Sequence, residues 1–451
     1  MRIRRLVGAA ALAAVVGAAS LLGAGTAAAA DSTAPLPLTG GHGDIVVDGV
    51  HDRVFLSDPA GSAVVVTDYD GKLVERIEGE PGAAGLALSE DSGTLFVALP
   101  NGDAISAVDT GTLTEKARYR LGAGNRPLSP AVIGDTVWFG YDSADSFGDV
   151  GSLDLSGPEP VVSLKQVGYG PFYSAPALVS SPAAPGRIVA TVEGSSPATL
   201  TVYDVSSGTP RQQASVRDPG GSTSNMQDMA ITPDGEHVVT ASGSPYYHQV
   251  FRLADLSADG RYATNTYPNS VAVGPDGTVA AGISGWTPAL SLFKPDRGTA
   301  YRTYDFRGTG TPDLRAAGLA WAPEGDRLFA VTEGTDNGEA AYALKVFTDA
   351  TKAVSALTVT APGTSAPHKQ LTVSGTLTAR LALPEGTTVG VTRAGPGGKR
   401  VSLGKAAVAA DGTFSVTDRP KGKGEAVYTV TYGGDGQHTA ATATATVALT
   451  R

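Results

Sequence analysis

The chain has 451 residues, with 34 Lys and Arg against 44 Asp and Glu, a formal net charge of −10, 58 glycines and no cysteine. Without cysteine there are no disulfides, thiolate ligands or cysteine nucleophile, and the acidic balance argues against a nucleic-acid partner. Abundant glycine with only 17% charged residues suits many short strands joined by tight turns better than helices, and the length exceeds one small core.

Residues 1–30 read as a secretory signal peptide. Arg2, Arg4 and Arg5 form a basic start, Leu6 to Gly25 is rich in Ala, Leu and Val, and Ala28 and Ala30 supply small residues before a cut ahead of Asp31. The general secretory route fits the flanks of Arg4-Arg5 better than the twin-arginine route. No later apolar run approaches a membrane span. The mature chain is therefore expected outside the cytoplasm, secreted or held at the cell wall, with no membrane span.

From Val46 onward the chain repeats. A short apolar strand opens each unit, anchored at Val46, Ala87, Ala131, Ala177, Ala230, Ala272 and Ala320, at spacings of 41 to 53 residues. The second unit shows the pattern: "GLALS", "TLFVAL", "AISAVD" and the more polar "EKARYRL" are strands, separated by "EDSG", "PNGD" and "TGTLT". Four short strands per unit with Gly, Asp and Asn turns describe an antiparallel sheet. Such a sheet has two apolar faces, and stacking the sheets around an axis buries both, which is a β-propeller. A helical solenoid fails, because no unit holds ten residues of helical apolar spacing free of Gly or Pro. "TAPLPL" (Thr33–Leu38) is placed to supply the outer strand of the last unit, and seven blades are expected for residues 31–354.

"GTLFVALPNGDAISAVDTGTL" (Gly93–Leu113) resembles the YVTN-type, WD40-like propeller repeat, with Leu95-Phe96-Val97-Ala98 at the tetrapeptide of that name. Looser matches run Asp52–Leu73 and Ala198–Pro210, so the resemblance spans about residues 40–350. It implies a fold and not an activity, since such propellers host binding proteins, surface proteins and several enzyme classes. Beyond Ser355 the strands become longer, with ten Lys and Arg against five Asp and Glu. "ADGTFSV" and "YTVTYGGDGQHTAATATATV" resemble the bacterial Ig-like domain repeat, with Tyr432, Gly434 and Asp435 at its late-strand positions. Residues 355–451 are therefore expected to form an Ig-like β-sandwich. The complete expectation is an all-β chain, a seven-bladed β-propeller followed by an Ig-like β-sandwich.

Catalytic signatures are missing. The six histidines show no metal-ligand spacing, and no nucleophile elbow, phosphate loop or dinucleotide fingerprint occurs. "TPDG", "GPDG" and "APEG" lack the alternating carboxylates of an EF-hand. Pro presets φ, Asp bonds its own backbone and Gly takes positive φ, so these are turns. His237 reads as a solvated turn residue. Lys399, Arg400, Arg419, Lys421 and Lys423 read as solvated turn charges, with contact to an anionic wall polymer as the alternative.

The loops between strands two and three, and those entering each unit, share one propeller face. They contribute Tyr169, Phe172, Tyr173, Asn225, Tyr246, Tyr247, His248, Asn269 and Trp286, aromatics and amides of the kind that sugar or peptide recognition uses. These are the candidate ligand-binding residues; no catalytic residue, metal or cofactor is assigned. The leading reading is a monomeric, non-enzymatic binding or surface-interaction protein for an extracellular glycan, peptide or cell-wall component, with the Ig-like domain as spacer or attachment module. One alternative is a metal-dependent lactonase- or gluconolactonase-like hydrolase, whose family pattern invites Glu193, Asn225, Asp228 and Asn269 as ligands. A passive envelope protein is the other.

Overall fold

A computed structural model describes residues 31–41, 43–145, 147–168, 172–296, 298–336, 338–395 and 397–450, so residues 1–30 and the signal-peptide reading lie outside it. The described residues fall into two compact units, divided between Val354 and Ser355. Apart from one short 3-10 turn at Pro219–Gly221, their regular structure is β. No helix among them is long and apolar enough to cross a membrane.

Residues 31–354 form seven four-stranded antiparallel sheets. Six are consecutive in sequence, opening with Ile45–Asp48, Leu86–Leu88, Arg126–Ile133, Ala177–Ser180, Ser224–Ile231 and Pro268–Val273. The seventh runs Asp313–Trp321, Arg327–Asp336 and Glu339–Thr348, and Ser32–Leu36 from the start of the chain pairs antiparallel with Glu339–Thr348 as its outermost strand. Asp31 adds to this join, accepting the Thr348 N–H at 3.0 Å and pairing with Arg302 at 3.1 Å.

Apolar residues make both faces of the second and third strands buried, as in Arg53–Asp58 and Ala63–Asp68, whereas the outer strand Thr114–Arg120 is largely exposed. Neighbouring sheets share apolar clusters: Val64, Val66, Leu95 and Val97 join the first and second, and Val54, Leu56, Phe329 and Leu344 join the first and seventh. Hairpin turns follow their local chemistry. In "TPDG", the Asp234 carboxylate accepts the Glu236 N–H at 2.9 Å and Gly235 has φ of 68°. The strands there, Ser224–Ile231 and His237–Ser244, run longer than the turn pattern alone marks.

Cross-strand register aligns the seven opening strands on one another. Two residues before the anchor in each stand Asp44, Gly85, Ser129, Ala177, Asp228, Ser270 and Gly318. In the fourth sheet the aligned anchor is Val179 rather than Ala177, because Val179 pairs with Val189 as Val46 pairs with Phe55. This position ties one sheet to the next. Asp44 accepts the Leu86 N–H at 2.8 Å, Gly85 donates to the Leu128 carbonyl at 2.8 Å, Ser129 accepts the Leu178 N–H at 3.0 Å and Asp228 accepts the Val271 N–H at 2.7 Å.

Residues 355–450 form a three-stranded sheet, with strands Ala356–Thr360, Leu371–Thr378 and Thr413–Asp418, and a five-stranded sheet centred on Gly424–Tyr432. Leu377 and Phe414 of the first share a core with Val389, Val391 and Val430 of the second. The Tyr428 hydroxyl donates to Asp418 at 2.8 Å and the Tyr432 hydroxyl to Asp435 at 2.8 Å.

A methyl group at Gly85 would lie 2.9 Å from the Ser129 Cα and in conflict with the Leu128 carbonyl, both backbone that cannot step aside. Gly85→Ala is expected to cost about 1–3 kcal/mol as overpacking, whereas Gly310→Ala, with nothing within 4 Å, is expected to leave the melting temperature unchanged. Thermal denaturation of both variants checks this; equal effects would contradict it.

Candidate functional site

The opening strands of the first five sheets, with Ala317 of the seventh, line a cavity of about 870 Å³. Its wall extends from Pro59, Pro100 and Asn101, in loops between second and third strands, to Ser89, Glu90 and Pro182, in turns at the opposite strand ends. The cavity therefore runs the length of these strands. Most of its wall is aliphatic, and Asp44, Glu193 and Asp228 are carried within it.

Two of these carboxylates are held by backbone. Asp44 accepts the N–H groups of Ile45 and Leu86, each at 2.8 Å, and Asp228 accepts those of Met229 at 2.8 Å and Val271 at 2.7 Å. Asp44 and Asp228 are half-buried and Glu193 is exposed, yet all three line the cavity, so the surface they show is closely hemmed by protein. Burial accordingly dominates their titration. It pushes Asp44 up to about 7 against its two backbone hydrogen bonds, with repulsion from Glu193 adding to the rise. Burial takes Asp228 to about 8, helped by repulsion from Asp44 and Glu193. The Glu193 carboxyl is also raised by burial.

None of the nine residues read from the sequence as ligand-binding lines this cavity, and Tyr169 lies outside the described residues. Phe172 is buried among Ala131, Trp138 and Leu178. His248 is fully buried, with its ring nitrogens 3.1 Å from the Thr264 hydroxyl and the Ser270 carbonyl, and burial lowers it to about 4. Asn269 is buried and donates to the Leu314 carbonyl at 2.8 Å. Asn225, at φ of 56°, is exposed and accepts from Gln227 at 2.8 Å. Of the four residues of the hydrolase-like alternative, Glu193 and Asp228 line the cavity and Asn225 and Asn269 do not. His237 is not a solvated turn residue: it is half-buried, with Nε2 2.8 Å from Asp259. With Asp234 and Glu236 it makes the one described trio whose ligand atoms lie within 4.8 Å of one another.

The remaining candidates stay on the surface. Tyr173 is 64% exposed, Tyr246 51% and Trp286 54%. Tyr247 is half-buried under the Arg261 guanidinium, 4.7 Å from its ring centre. Tyr246 meets Tyr267 edge-to-face at 5.5 Å, and Tyr267, exposed and absent from the sequence-based set, has φ of 62°. Phe147, Tyr173, Tyr246, Tyr267 and Trp286 comprise every strongly exposed aromatic among the described residues. All five sit on connections from the second to the third strand, or from one sheet to the next, in sheets three to six. Those connections leave the sheets at one common end.

No family model matches the chain, and no curated protein matches it by sequence. Among solved structures, hydrazine synthase of Kuenenia stuttgartiensis is similar at 16% identity over 69% of this chain and 97% of that one, with a TM-score of 0.51. The β-propeller domain of Cps50 (Swd1) from Myceliophteria thermophila is similar at 13% identity over 70% and 99%, with a TM-score of 0.52. The fold is a β-propeller. At these identities the likeness extends to the propeller fold and not to its ligands.

The cavity acids make a pH prediction. Folded Asp44 and Asp228 hold protons that the unfolded chain, near the ordinary value of 3.8, releases. Propeller stability therefore falls as pH rises through the window between about 4 and 8. Asp44→Asn combined with Asp228→Asn, which removes both titrations and keeps one of the two acceptor oxygens at each site, is expected to gain melting temperature relative to the parent as pH rises from about 4.5 to about 8.5. Circular-dichroism melts at both pH values check it; the same difference at both would contradict it.

Proposed function

We propose that the chain is a secreted, monomeric, non-enzymatic binding protein, in which a closed seven-bladed propeller presents a ligand face and an Ig-like sandwich spaces or attaches it. The seven four-stranded sheets, the core shared by the first and seventh, and the strand Ser32–Leu36 at the outer edge of the seventh support the ring. The two-sheet core of residues 355–450 supports the sandwich. The signal-like start supports secretion.

The observation that carries the function is the gathering of Phe147, Tyr173, Tyr246, Tyr267 and Trp286 at one end of adjacent blades. An aromatic left about half exposed gains less from folding than a buried one, whereas a flat ring with a polar edge suits a sugar face. Tyr267 strengthens the case. A bulky residue at positive φ costs about 1–3 kcal/mol, and such strain concentrates at functional loops. A glycan of the cell wall is the ligand this surface fits best.

Tyr246→Ala with Trp286→Ala is expected to weaken binding to soluble peptidoglycan and cell-wall polysaccharide fragments by at least about tenfold, about 1.4 kcal/mol, while the melting temperature holds. Calorimetric titration of parent and variant tests this. Turnover of lactone, ester or glycoside substrates by the purified protein would overturn the non-enzymatic reading, and unchanged glycan affinity, or binding of peptides alone, would overturn the glycan reading.

A further inference from the structure

The cavity is chemically unlike the mouth face, and its properties are independent of whether that face binds a glycan. None of its described lining residues is aromatic, and none is Lys, Arg or His. Its ionisable groups are all acidic: Asp44, Glu193 and Asp228 are set in walls of Val46, Ala87, Ala131, Leu178, Val179 and Met229, with Glu90 in a turn at one end. Burying like charges together without a cation is unfavourable. Burial dominates the raised values of Asp44 and Asp228, and repulsion from neighbouring carboxylates adds to it.

A second feature of the wall also lacks its complement. Thr191 is 1% exposed, lines the cavity two residues before Glu193, and its hydroxyl has no hydrogen-bond partner. A buried hydroxyl left unpaired costs about 1–3 kcal/mol, and a donor group on a ligand in the cavity would satisfy it.

The spacing of the acids selects the kind of cation. Their oxygens do not all lie within 4.8 Å of one another, unlike those of Asp234, Glu236 and His237, so as they stand the three are not gathered into a single metal coordination sphere. Separated carboxylates along an aliphatic wall instead match separated ammonium groups along an alkyl chain. The backbone N–H bonds to Asp44 and Asp228 fix these acceptors in advance, and the volume of about 870 Å³ is that of a small-molecule site. We propose that the propeller cavity binds a linear aliphatic polyamine, whose ammonium groups pair with Asp44, Glu193 and Asp228 and one of which donates to the Thr191 hydroxyl.

Spermidine is the probe, titrated calorimetrically into the full secreted chain at about pH 8 with n-pentylamine and calcium chloride in parallel. Saturable spermidine binding is expected, at least about tenfold tighter than n-pentylamine and weakening as pH falls to about 5.5, because ionised carboxylates are the acceptors. Asp44→Asn with Asp228→Asn, and separately Glu193→Gln, are each expected to weaken it at least about tenfold. Thr191→Val, which keeps the side-chain shape, is expected to weaken it severalfold without lowering the melting temperature. Unchanged affinity in the carboxylate variants would assign binding to the acidic outer surface and overturn the proposal. So would calcium binding that depends on the same carboxylates in the absence of spermidine binding, which would make the cavity a metal site. Glycan binding at the mouth is read in its own titration, so either site can fail alone.

Discussion

At the innermost strands of the propeller the backbones come so close that Gly85 donates directly to the Leu128 carbonyl, 2.8 Å away in the next sheet. That closeness decides what can stand two residues before each anchor: glycine, alanine, serine, or an aspartate that reaches across. Ser129 makes the same crossing with a hydroxyl, and Asp44 and Asp228 make it with carboxylates. The sheets are thus joined near the axis by polar bonds and farther out by apolar clusters such as Val64, Leu95 and Val97. An aspartate used in this way leaves charge facing the cavity. The joint between sheets and the chemistry of the cavity come from the same side chains.

The two ends of the opening strands serve different tasks. Turns such as Thr232–His237 are spent on their own geometry, with Thr232 and Asp234 bonding within the turn. At the opposite end the loops vary in length and carry the exposed aromatics. A rigid scaffold with variable loops at one end is the usual arrangement for recognition, and it leaves the repeat itself free of functional demands.

The turns and sheets were legible in the sequence because their causes are local. Pro-Asp-Gly dictates its own φ values, and strands of alternating Val, Leu and Phe between such turns have few other ways to be buried. The cavity acids were not legible in the same manner. Asp44 follows "GHG" and Asp228 ends "STSNMQD", so both look like ordinary loop residues. The available signal was positional: each stands two residues before its anchor, where Gly85 and Gly318 stand in other units. The mouth residues show a different limit. Tyr246 and His248 are two residues apart, yet Tyr246 is half exposed and His248 fully buried at the start of the strand His248–Arg252. Where a loop ends and a strand begins decides which side chain turns inward, and composition does not mark that boundary. Thr191 was invisible for the same reason, since its unpaired hydroxyl exists only once the surrounding sheets are assembled.

The strand Ser32–Leu36 has a kinetic consequence. It is made first, but its partner Glu339–Thr348 is made some three hundred residues later, so the longest-range pairing in the propeller waits for synthesis of the whole domain. From its synthesis until the two have paired, Glu339–Thr348, one of the two longest strands in the domain, presents an open edge to any passing chain. Pairings of such sequence separation form slowly because the intervening loop must be closed first. The propeller therefore spends its most vulnerable interval nearly complete, with all its strands made and its first and last not yet joined.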